Sequence, residues 1–307
     1  MGAIGFLGSA AFGLVRGAPL PEIHDEFSYL LGADTFAEGR LTNPTHPHWK
    51  HFETFHVIHQ PTYQSKYPPA QALVLAMGKR LGGHAALGLW LGAGALAAAL
   101  TWALLTWLPS HWGLLAGGLA ALQLTWFTYW SQSFWGGAAA ALGGALALGA
   151  LRSLWRRPNL TTGLILGTGL AVLGASRPFE GALVGTLIAG ALIYRLLQEQ
   201  GTHRRELVFR GILPAAVVVG ASLGAQGVYN HAVTGSPATM PYQVAHEQYA
   251  AAPTFLFQAP GPAPGYRHAV MEAYWMQWGK ERHERNRELQ VILTTVPTKI
   301  GTLALFF

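Results

Sequence analysis

The sequence predicts an all-α integral membrane protein with about eight transmembrane helices and two large extracytoplasmic loops that carry juxtamembrane helices. Of its 307 residues, 51% are hydrophobic and only 11% are charged, whereas a soluble domain carries about 25% charged residues. So few charges cannot coat a water-soluble globule of this size. The 38 glycines and 11 tryptophans are also typical of membrane helices and their interfaces.

Eight apolar runs give the predicted spans. They cover residues 3–16, 84–107, 111–130, 135–151, 160–176, 178–195, 209–229 and 291–307. The first run is shorter than the roughly 20 residues that cross a bilayer, and the last run continues to the final residue. We therefore expect one transmembrane domain over residues 1–307, trimmed at both ends.

Two polar stretches, 17–83 and 230–290, are the predicted loops. Their side of the membrane depends on segment 68–82, which is either a further span or a surface helix. If this segment lies at the surface, three short connections share the opposite side, where only Glu199 and Glu206 oppose a set of arginines. These are Arg152, Arg156, Arg157, Arg195, Arg204, Arg205 and Arg210. The positive-inside rule makes that side cytoplasmic, so both loops are expected on the outer face of the cell inner membrane.

The composition excludes several classes of function. Because the chain has no cysteine, it has no disulfide, catalytic thiol or cysteine metal ligand. The formal charge of +6 does not indicate a nucleic-acid partner, because the basic residues lie at the ends of apolar runs and do not alternate with aromatic residues. The expected surroundings are membrane lipids.

An acidic pair, Asp25 and Glu26, follows the first apolar run. One interpretation is structural, in which both residues begin an amphipathic helix that reaches about Glu38. Carboxylates in a first turn interact favourably with the helix dipole. The other interpretation is that the pair takes part in chemistry. On this motif alone the structural interpretation is favoured, because adjacent carboxylates are common.

A single lysine, Lys66, lies beside the rigid Pro68-Pro69 turn and the predicted start of a helix. A lysine next to the free N–H groups of a helix start forms an anion site. The structural alternative is a lysine that anchors a surface helix among lipid headgroups. The motif alone slightly favours the anchor.

Arg177 and Glu180 lie between two apolar runs, in the segment 175–181. They could form an ion pair that closes a turn, or Arg177 could bind a phosphate. Charges this close to the hydrocarbon are costly and are often functional. The sequence by itself leaves both interpretations open.

The first apolar run, the acidic pair and the Lys-Tyr-Pro-Pro motif at residues 66–69 together resemble the GT-C glycosyltransferases over roughly residues 1–200. The most similar branch contains the protein O-mannosyltransferases and the lipid A aminoarabinose transferases. The resemblance implies a cell-envelope enzyme that transfers a sugar from a polyprenyl-phosphate donor. The acceptor would be a lipid, a glycan or a protein on the extracytoplasmic face.

The resemblance also implies roles for single residues. Asp25, with Glu26 beside it, matches the catalytic carboxylate and would take the proton of the acceptor. Lys66, with Tyr67 beside it, matches the residue that contacts the donor phosphate. Arg177 would be a second cation on the leaving phosphate. Attack opposite the leaving group would invert the anomeric centre.

Four further residues are expected substrate contacts. Gln132 lies at the tip after the third apolar run, where this chain lacks the acidic residue that some family members carry. Glu180 follows Arg177, while Arg267 and His268 belong to the second loop. The Tyr, Trp and Gln residues of that loop suit sugar recognition, and they suit a membrane-interface belt equally well.

The first loop contains a histidine cluster with Glu53 among its members, namely His46, His48, His51, His56 and His59. Its first three histidines raise the alternative of a divalent metal site. Imidazole and carboxylate groups are ligands of zinc and similar ions. Loop histidines are more often simply hydrogen-bonded, and the spacing matches no strict metal signature. A metal therefore remains the minority interpretation.

Two other functions compete with the glycosyltransferase. A transporter or lipid flippase would show ionisable residues or interrupted helices near the bilayer midplane, often in repeated halves. The predicted spans hold almost no charge and no visible repeat. The second competitor is a non-catalytic membrane subunit with the same fold, against which the acidic pair and Lys66 argue weakly.

Overall fold

A computed structural model describes residues 1–126 and 129–306 of the chain, and these residues are mostly helical. Among these described residues, four helices are long and apolar enough to cross a membrane, namely Ala85–Trp107, Gly137–Arg156, Pro178–Gln198 and Gly201–Thr234. Gly2–Arg16 and Leu160–Ser176 are shorter apolar helices. The prediction of an all-α chain is therefore confirmed, and these four helices are consistent with the predicted membrane-spanning segments.

The number of about eight spans is not supported. The two shorter apolar helices have 15 and 17 residues, which corresponds to about 22–26 Å at the rise of an α-helix. That length is less than the roughly 30 Å of the hydrocarbon core. The predicted run 111–130 is helical over Ser110–Trp126, and its residues 127 and 128 lie outside the described part of the chain.

The helices in chain order are α1 (Gly2–Arg16), α2 (His24–Ala37), α3 (Ala70–Gly82), α4 (Ala85–Trp107), α5 (Ser110–Trp126), α6 (Gly137–Arg156), α7 (Leu160–Ser176), α8 (Pro178–Gln198), α9 (Gly201–Glu206), α10 (Leu213–Thr234), α11 (Pro241–Tyr249), α12 (Ala269–Ala273), α13 (Arg282–Asn286) and α14 (Leu289–Phe306). π-Helical turns at Leu207–Ile212 and Tyr274–Glu281 connect α9 to α10 and α12 to α13. Short 3-10 turns lie at Trp49–His51 and Tyr129–Ser131.

Small residues allow the long helices to pack closely. A Cβ placed on Gly143 of α6 would lie 2.6 Å from the backbone nitrogen of Leu173 in α7, and one on Gly169 of α7 would lie 2.6 Å from that of Ala147 in α6. Backbones that approach this closely are characteristic of helix pairs in membranes. Leu154, which is fully buried, belongs to the apolar core beside this contact.

Helix α2 begins within one residue of the predicted start, but its buried face mixes apolar residues such as Tyr29 and Ala33 with polar ones. Glu26, Ser28 and Thr35 are all buried, whereas Phe27 is 57% exposed. The polar residues are buried because they have hydrogen-bond partners in the surrounding loops. Burial of polar groups is tolerated when they are bonded in this way.

The first loop contains a small hairpin that the sequence did not predict. Strand β1 (Val57–Ile58) pairs antiparallel with β2 (Gln64–Ser65), with Val57 opposite Ser65. Each strand has only two residues, which is too short for an alternating pattern to be recognised in the sequence. Ser28 of α2 donates to the carbonyl of His56 over 2.6 Å, so the hairpin is fixed to the start of α2.

Both predicted loops lie at the same end of the helix bundle and contact each other. Thr62 in the first loop donates to the carbonyl of Val233 at the end of α10, over 2.8 Å. Gln248 of α11 donates to the carbonyl of Gln60 over 3.1 Å. Within segment 68–82, residues Ala70–Gly82 form the 13-residue helix α3, which at about 20 Å is also shorter than the hydrocarbon core.

Candidate active site

A cavity of about 400 Å³, with polar, charged and aromatic residues in its lining, lies where the two loops meet the ends of α7 and α8. It contains predicted site residues from three separate parts of the chain. Its lining consists of Asp25, Tyr29, Lys66, Tyr67, Pro68, Trp135, Ser176, Arg177, Pro178, Phe179, Glu180, Met240, Tyr242 and Thr254. The structure therefore brings Asp25, the first residue of the acidic pair, together with Lys66, Tyr67, Arg177 and Glu180.

Lys66 is a buried cation, only 7% exposed. Its ammonium lies over three aromatic rings, 5.3 Å from the centroid of Tyr67, 5.7 Å from Tyr242 and 5.5 Å from Trp275. Cation–π attraction of this kind offsets part of the cost of removing the charge from water. Burial lowers the pKa of Lys66 to about 8, and the negative charge of Asp25 acts in the opposite direction.

No carboxylate lies within ion-pair distance of Lys66 among the residues that the structure describes. A buried charge without a partner is strongly destabilising. Because Lys66 lines the cavity, an anion bound there would supply the missing counter-charge. A bound anion beside Lys66 is therefore the clearest chemical requirement of the site.

Arg177 lies at the junction of α7 and α8, where Pro178 begins the second helix. Its guanidinium is 3.9 Å from the carboxylate of Glu180, and both side chains are about half exposed. Such an exposed pair contributes little to stability. The turn-closing pair predicted from the sequence is therefore present but weak, and it leaves Arg177 on the wall of the cavity.

Asp25 is held by the phenol of Tyr67, which donates a hydrogen bond to Oδ1. Burial raises the pKa of Tyr67 far above its usual value, and the hydrogen bond to Asp25 and its charge add to this effect. The phenol therefore stays protonated and acts as a donor. Tyr29 stacks on Tyr67 with ring centroids 4.7 Å apart, and burial raises the pKa of Tyr29 to about 12.

Glu26 has a different environment from its neighbour, although both belong to the first turn of α2. It is 3% exposed and accepts four hydrogen bonds, from the backbone of Glu22 and Ile23, from the hydroxyl of Ser133 (2.6 Å) and from the backbone of Phe134 (2.8 Å). Glu26 does not line the cavity that contains Asp25. It connects the start of α2 to the tip at residues 131–135.

Gln132 also lies outside this cavity. Its amide donates to the carbonyl of Ser9 over 3.2 Å, and its side chain lines a separate cavity of about 680 Å³ together with Arg16 and Glu26. The structure therefore does not bring Gln132 to Lys66, and its predicted role as a substrate contact stays a prediction.

Arg267 and His268 bind the first loop, away from the cavity. Arg267 contacts the carboxylate of Glu53 over 2.7 Å, and the side chain of Glu53 is only 2% exposed. His268 Nε2 is 2.6 Å from the carbonyl of Lys50, and Tyr249 donates to Glu53 over 2.9 Å. These residues join the two loops, so they shape the site without lining it.

The three histidines of the proposed metal site lie side by side on the surface. The ring of His48 is 5.8 Å from that of His46 and 6.4 Å from that of His51, measured between centroids. Within residues 1–126 and 129–306, no group of three His, Cys, Asp or Glu side chains is arranged to hold a metal ion. The metal interpretation gains no support from this arrangement.

Sequence reasoning did not link several residues of the loops to Lys66 and Asp25. Tyr242 and Trp275 come from the second loop and stand beside Lys66. His56 was noted only as one of the loop histidines, but its ring lies against Asp25 and Tyr67. Tyr274 reaches His56 from the second loop. No local pattern marks these residues, because their partners lie in distant parts of the sequence.

An apolar cavity of about 560 Å³ adjoins the one lined by Asp25 and Lys66. It lies between α7, α8 and α10 and is lined mainly by small and aliphatic residues, including Gly174, Gly181 and Leu223. Pro178 and Met240 line both cavities. The site is therefore polar at the loop end and apolar between the helices.

Comparison of the chain with protein-family models, with curated proteins and with solved structures gives no match.

Proposed function

We propose that the protein is a GT-C-type membrane glycosyltransferase that transfers a sugar from a polyprenyl-phosphate donor. The observation that carries the proposal is the buried Lys66 ammonium, which has no carboxylate partner among the described residues and faces a cavity shared with Asp25 and Arg177. A phosphate group supplies the anion that this arrangement lacks. Asp25 then supplies a base beside the bound phosphate.

The proposed reaction is a single displacement. The hydroxyl or amine of the acceptor attacks the anomeric carbon of the donor, and Asp25 takes the proton that it loses. The bond between the anomeric carbon and the phosphate oxygen breaks at the same time, and polyprenyl phosphate leaves. Lys66 and Arg177 stabilise the negative charge that grows on the leaving group. Attack from the opposite side inverts the anomeric centre.

The adjoining apolar cavity supports a lipid-linked donor over a soluble sugar phosphate. Its volume of about 560 Å³ falls within the range of about 300–1,000 Å³ that is usual for ligand pockets. Because Pro178 and Met240 line both cavities, a phosphate beside Lys66 can continue into an apolar chain between α7, α8 and α10. This combination of a polar head and an apolar tail matches a polyprenyl phosphate.

We further propose that α1, α5, α7 and α14 also cross the membrane, which would give eight spans. Local thinning of the bilayer accommodates helices shorter than its hydrocarbon core. The loops with the candidate site would then lie on the extracytoplasmic face of the inner membrane. Arg156 and Arg157, at the other end of α6, would lie in the cytoplasm as the positive-inside rule expects.

The test is a screen of the purified protein with synthetic polyprenyl-phosphate sugars. Binding of polyprenyl phosphate is measured separately from sugar transfer to lipid, glycan or peptide acceptors. We expect binding together with transfer from at least one donor. Binding without any transfer would favour the flippase or the non-catalytic subunit, which can share the phosphate site. Absence of binding would exclude the proposed glycosyltransferase.

A further inference from the structure

We propose that Tyr67 and His56 form a hydrogen-bonded chain that orients Asp25, and that Tyr274 of the second loop completes this chain. The inference deepens the proposed function, because it assigns positioning residues to the same base. Three contacts define the chain. The Tyr67 phenol donates to Asp25 Oδ1, the Tyr67 oxygen is 2.9 Å from His56 Nδ1, and the Tyr274 oxygen is 3.3 Å from His56 Nε2.

The direction of each hydrogen bond follows from the number of protons available. A phenol has one proton, and Tyr67 gives it to the carboxylate of Asp25. The Tyr67 oxygen must therefore accept from His56, which requires a proton on Nδ1. In a neutral imidazole the other nitrogen then accepts, so Tyr274 donates to Nε2. The chain runs in one direction, from Tyr274 to Asp25.

The surroundings of His56 keep its ring neutral, as this assignment requires. His56 is 8% exposed. Burial and the positive charge of Lys66 lower the pKa of His56 to about 4, His24 adds to this effect, and Asp25 acts against it. The phenols of Tyr67 and Tyr274 are the other titratable groups that face the ring. At neutral pH the ring therefore has one proton, and the hydrogen bonds select Nδ1 as its position.

The backbone at His56 is held in an unusual conformation that presents the ring to Tyr67. Its φ angle is +65°, a left-handed conformation that costs energy for most residues other than glycine. Two hydrogen bonds to its carbonyl stabilise the conformation, from Ser28 Oγ over 2.6 Å and from the Lys66 backbone nitrogen over 3.1 Å. The carbonyl of His56 therefore also holds Lys66, the residue next to Tyr67.

The chain has a consequence for the base. Because Tyr67 occupies Oδ1 of Asp25, Oδ2 is the oxygen available for the proton of the acceptor. His56 Nε2 lies 3.6 Å from this oxygen, which is beyond hydrogen-bond distance. Tyr67 stays a donor throughout the reaction, so it and His56 do not exchange protons with the substrate. They are positioning residues, and only Asp25 reacts.

The kinetic test compares His56→Leu with His56→Asn. The amide nitrogen of asparagine can take the place of Nδ1–H, and asparagine tolerates a positive φ, whereas leucine offers neither property. We expect kcat to fall roughly 10- to 100-fold in His56→Leu and in Tyr67→Phe, by analogy with the loss seen when the hydrogen-bond partners that orient metal ligands are removed. His56→Asn should recover most of kcat, while the donor KM changes little. Tyr63→Phe is the matched control, because the ring of Tyr63 stacks on His59. The hydroxyl that donates to Asp25 is that of Tyr67.

Equal losses in His56→Leu and His56→Asn would overturn the assignment. A second measurement does not depend on enzymatic activity. Nitrogen-15 NMR of histidine-labelled protein, with the signals of His56 identified by their loss in His56→Asn, should show a neutral ring protonated at Nδ1 at pH 7. A ring protonated at Nε2, or at both nitrogens, would exclude the chain even if no donor had been found. If the screen finds no donor but the NMR result is as expected, only the proposed function is rejected and the hydrogen-bonded chain stands.

Discussion

Arg267 Nη1 lies 2.7 Å from the buried carboxylate of Glu53, so an ion pair joins the second loop to the first. The guanidinium also lies 5.0 Å above the ring of Trp49. The pair stands beside the contacts of Tyr249 and His268 with the same loop. It therefore holds together the two segments that supply the aromatic rings around Lys66.

The first prediction concerns this ion pair. Arg267→Ala should lower the free energy of unfolding by about 1–3 kcal/mol, because it removes one charged partner from a buried carboxylate. Thermal unfolding in detergent measures the effect. Arg210→Ala is the control, since its pair with Glu206 is exposed and should contribute at most about 1 kcal/mol. Equal effects of the two substitutions would contradict the role of Glu53 and Arg267 in joining the loops.

The second prediction concerns Asp25. Asp25→Asn keeps the size of the side chain and its ability to accept from Tyr67, but it removes the basicity. Sugar transfer should therefore fall about 100- to 10,000-fold, while polyprenyl-phosphate binding changes little, because the base acts in the transition state. Transfer and binding are measured separately with the donor identified by screening. Transfer at the parent rate would show that Asp25 is not the base.

Glu26 gives the contrasting third prediction. Glu26→Ala leaves four donors without their acceptor. One of them, the backbone N–H of Phe134, is buried, and an unsatisfied buried group costs about 1–3 kcal/mol. We expect a large loss of thermal stability or of folded protein, whereas Asp25→Asn should unfold close to the parent temperature. A stable Glu26→Ala protein with a selective loss of transfer would instead place Glu26 in the chemistry.

The fourth prediction is that Lys66 lowers the stability of the unliganded protein and strengthens the binding of polyprenyl phosphate. Lys66→Met replaces a buried charge with an apolar side chain of similar length. Because burial lowers the pKa of Lys66 from 10.5 to about 8, the unliganded variant should be more stable by at most about 3 kcal/mol. Affinity for polyprenyl phosphate should fall roughly 10- to 100-fold, since a charged contact is lost. A variant that binds as well as the parent would remove Lys66 from the phosphate site.

The fifth prediction is a pH dependence with a defined sign. Donor affinity should fall as the pH rises through about 8, because Lys66 loses its charge there and affinity then follows the charged fraction. Over the window from about 8 to 10.5 the unfolded chain binds more protons at Lys66 than the folded protein, so the stability contribution of this group rises with pH. Lys66→Arg stays charged throughout and should show neither change. If donor affinity changed with pH in the same way in the parent protein and in Lys66→Arg, Lys66 would not be the group that titrates.

The sequence by itself determined the all-α fold class and the position of most helices. Two predicted apolar runs correspond closely to the helices Ala85–Trp107 and Pro178–Gln198. A long apolar segment inside a membrane must satisfy its own backbone hydrogen bonds, so it forms a helix whatever its neighbours. The sequence also indicated Asp25, Lys66 and Arg177, which line one cavity. Charged residues beside apolar runs are few, so each of them is conspicuous in the sequence.

Only the tertiary structure decided how those residues differ from one another. Asp25 and Glu26 are adjacent in sequence, but one lines the cavity and the other accepts hydrogen bonds from the tip at residues 131–135. His56 and Tyr274 meet although more than two hundred residues separate them. Such assignments depend on contacts between distant segments. Local sequence patterns carry no information about which partner a buried polar group finds, and that partner sets its hydrogen bonding and its pKa.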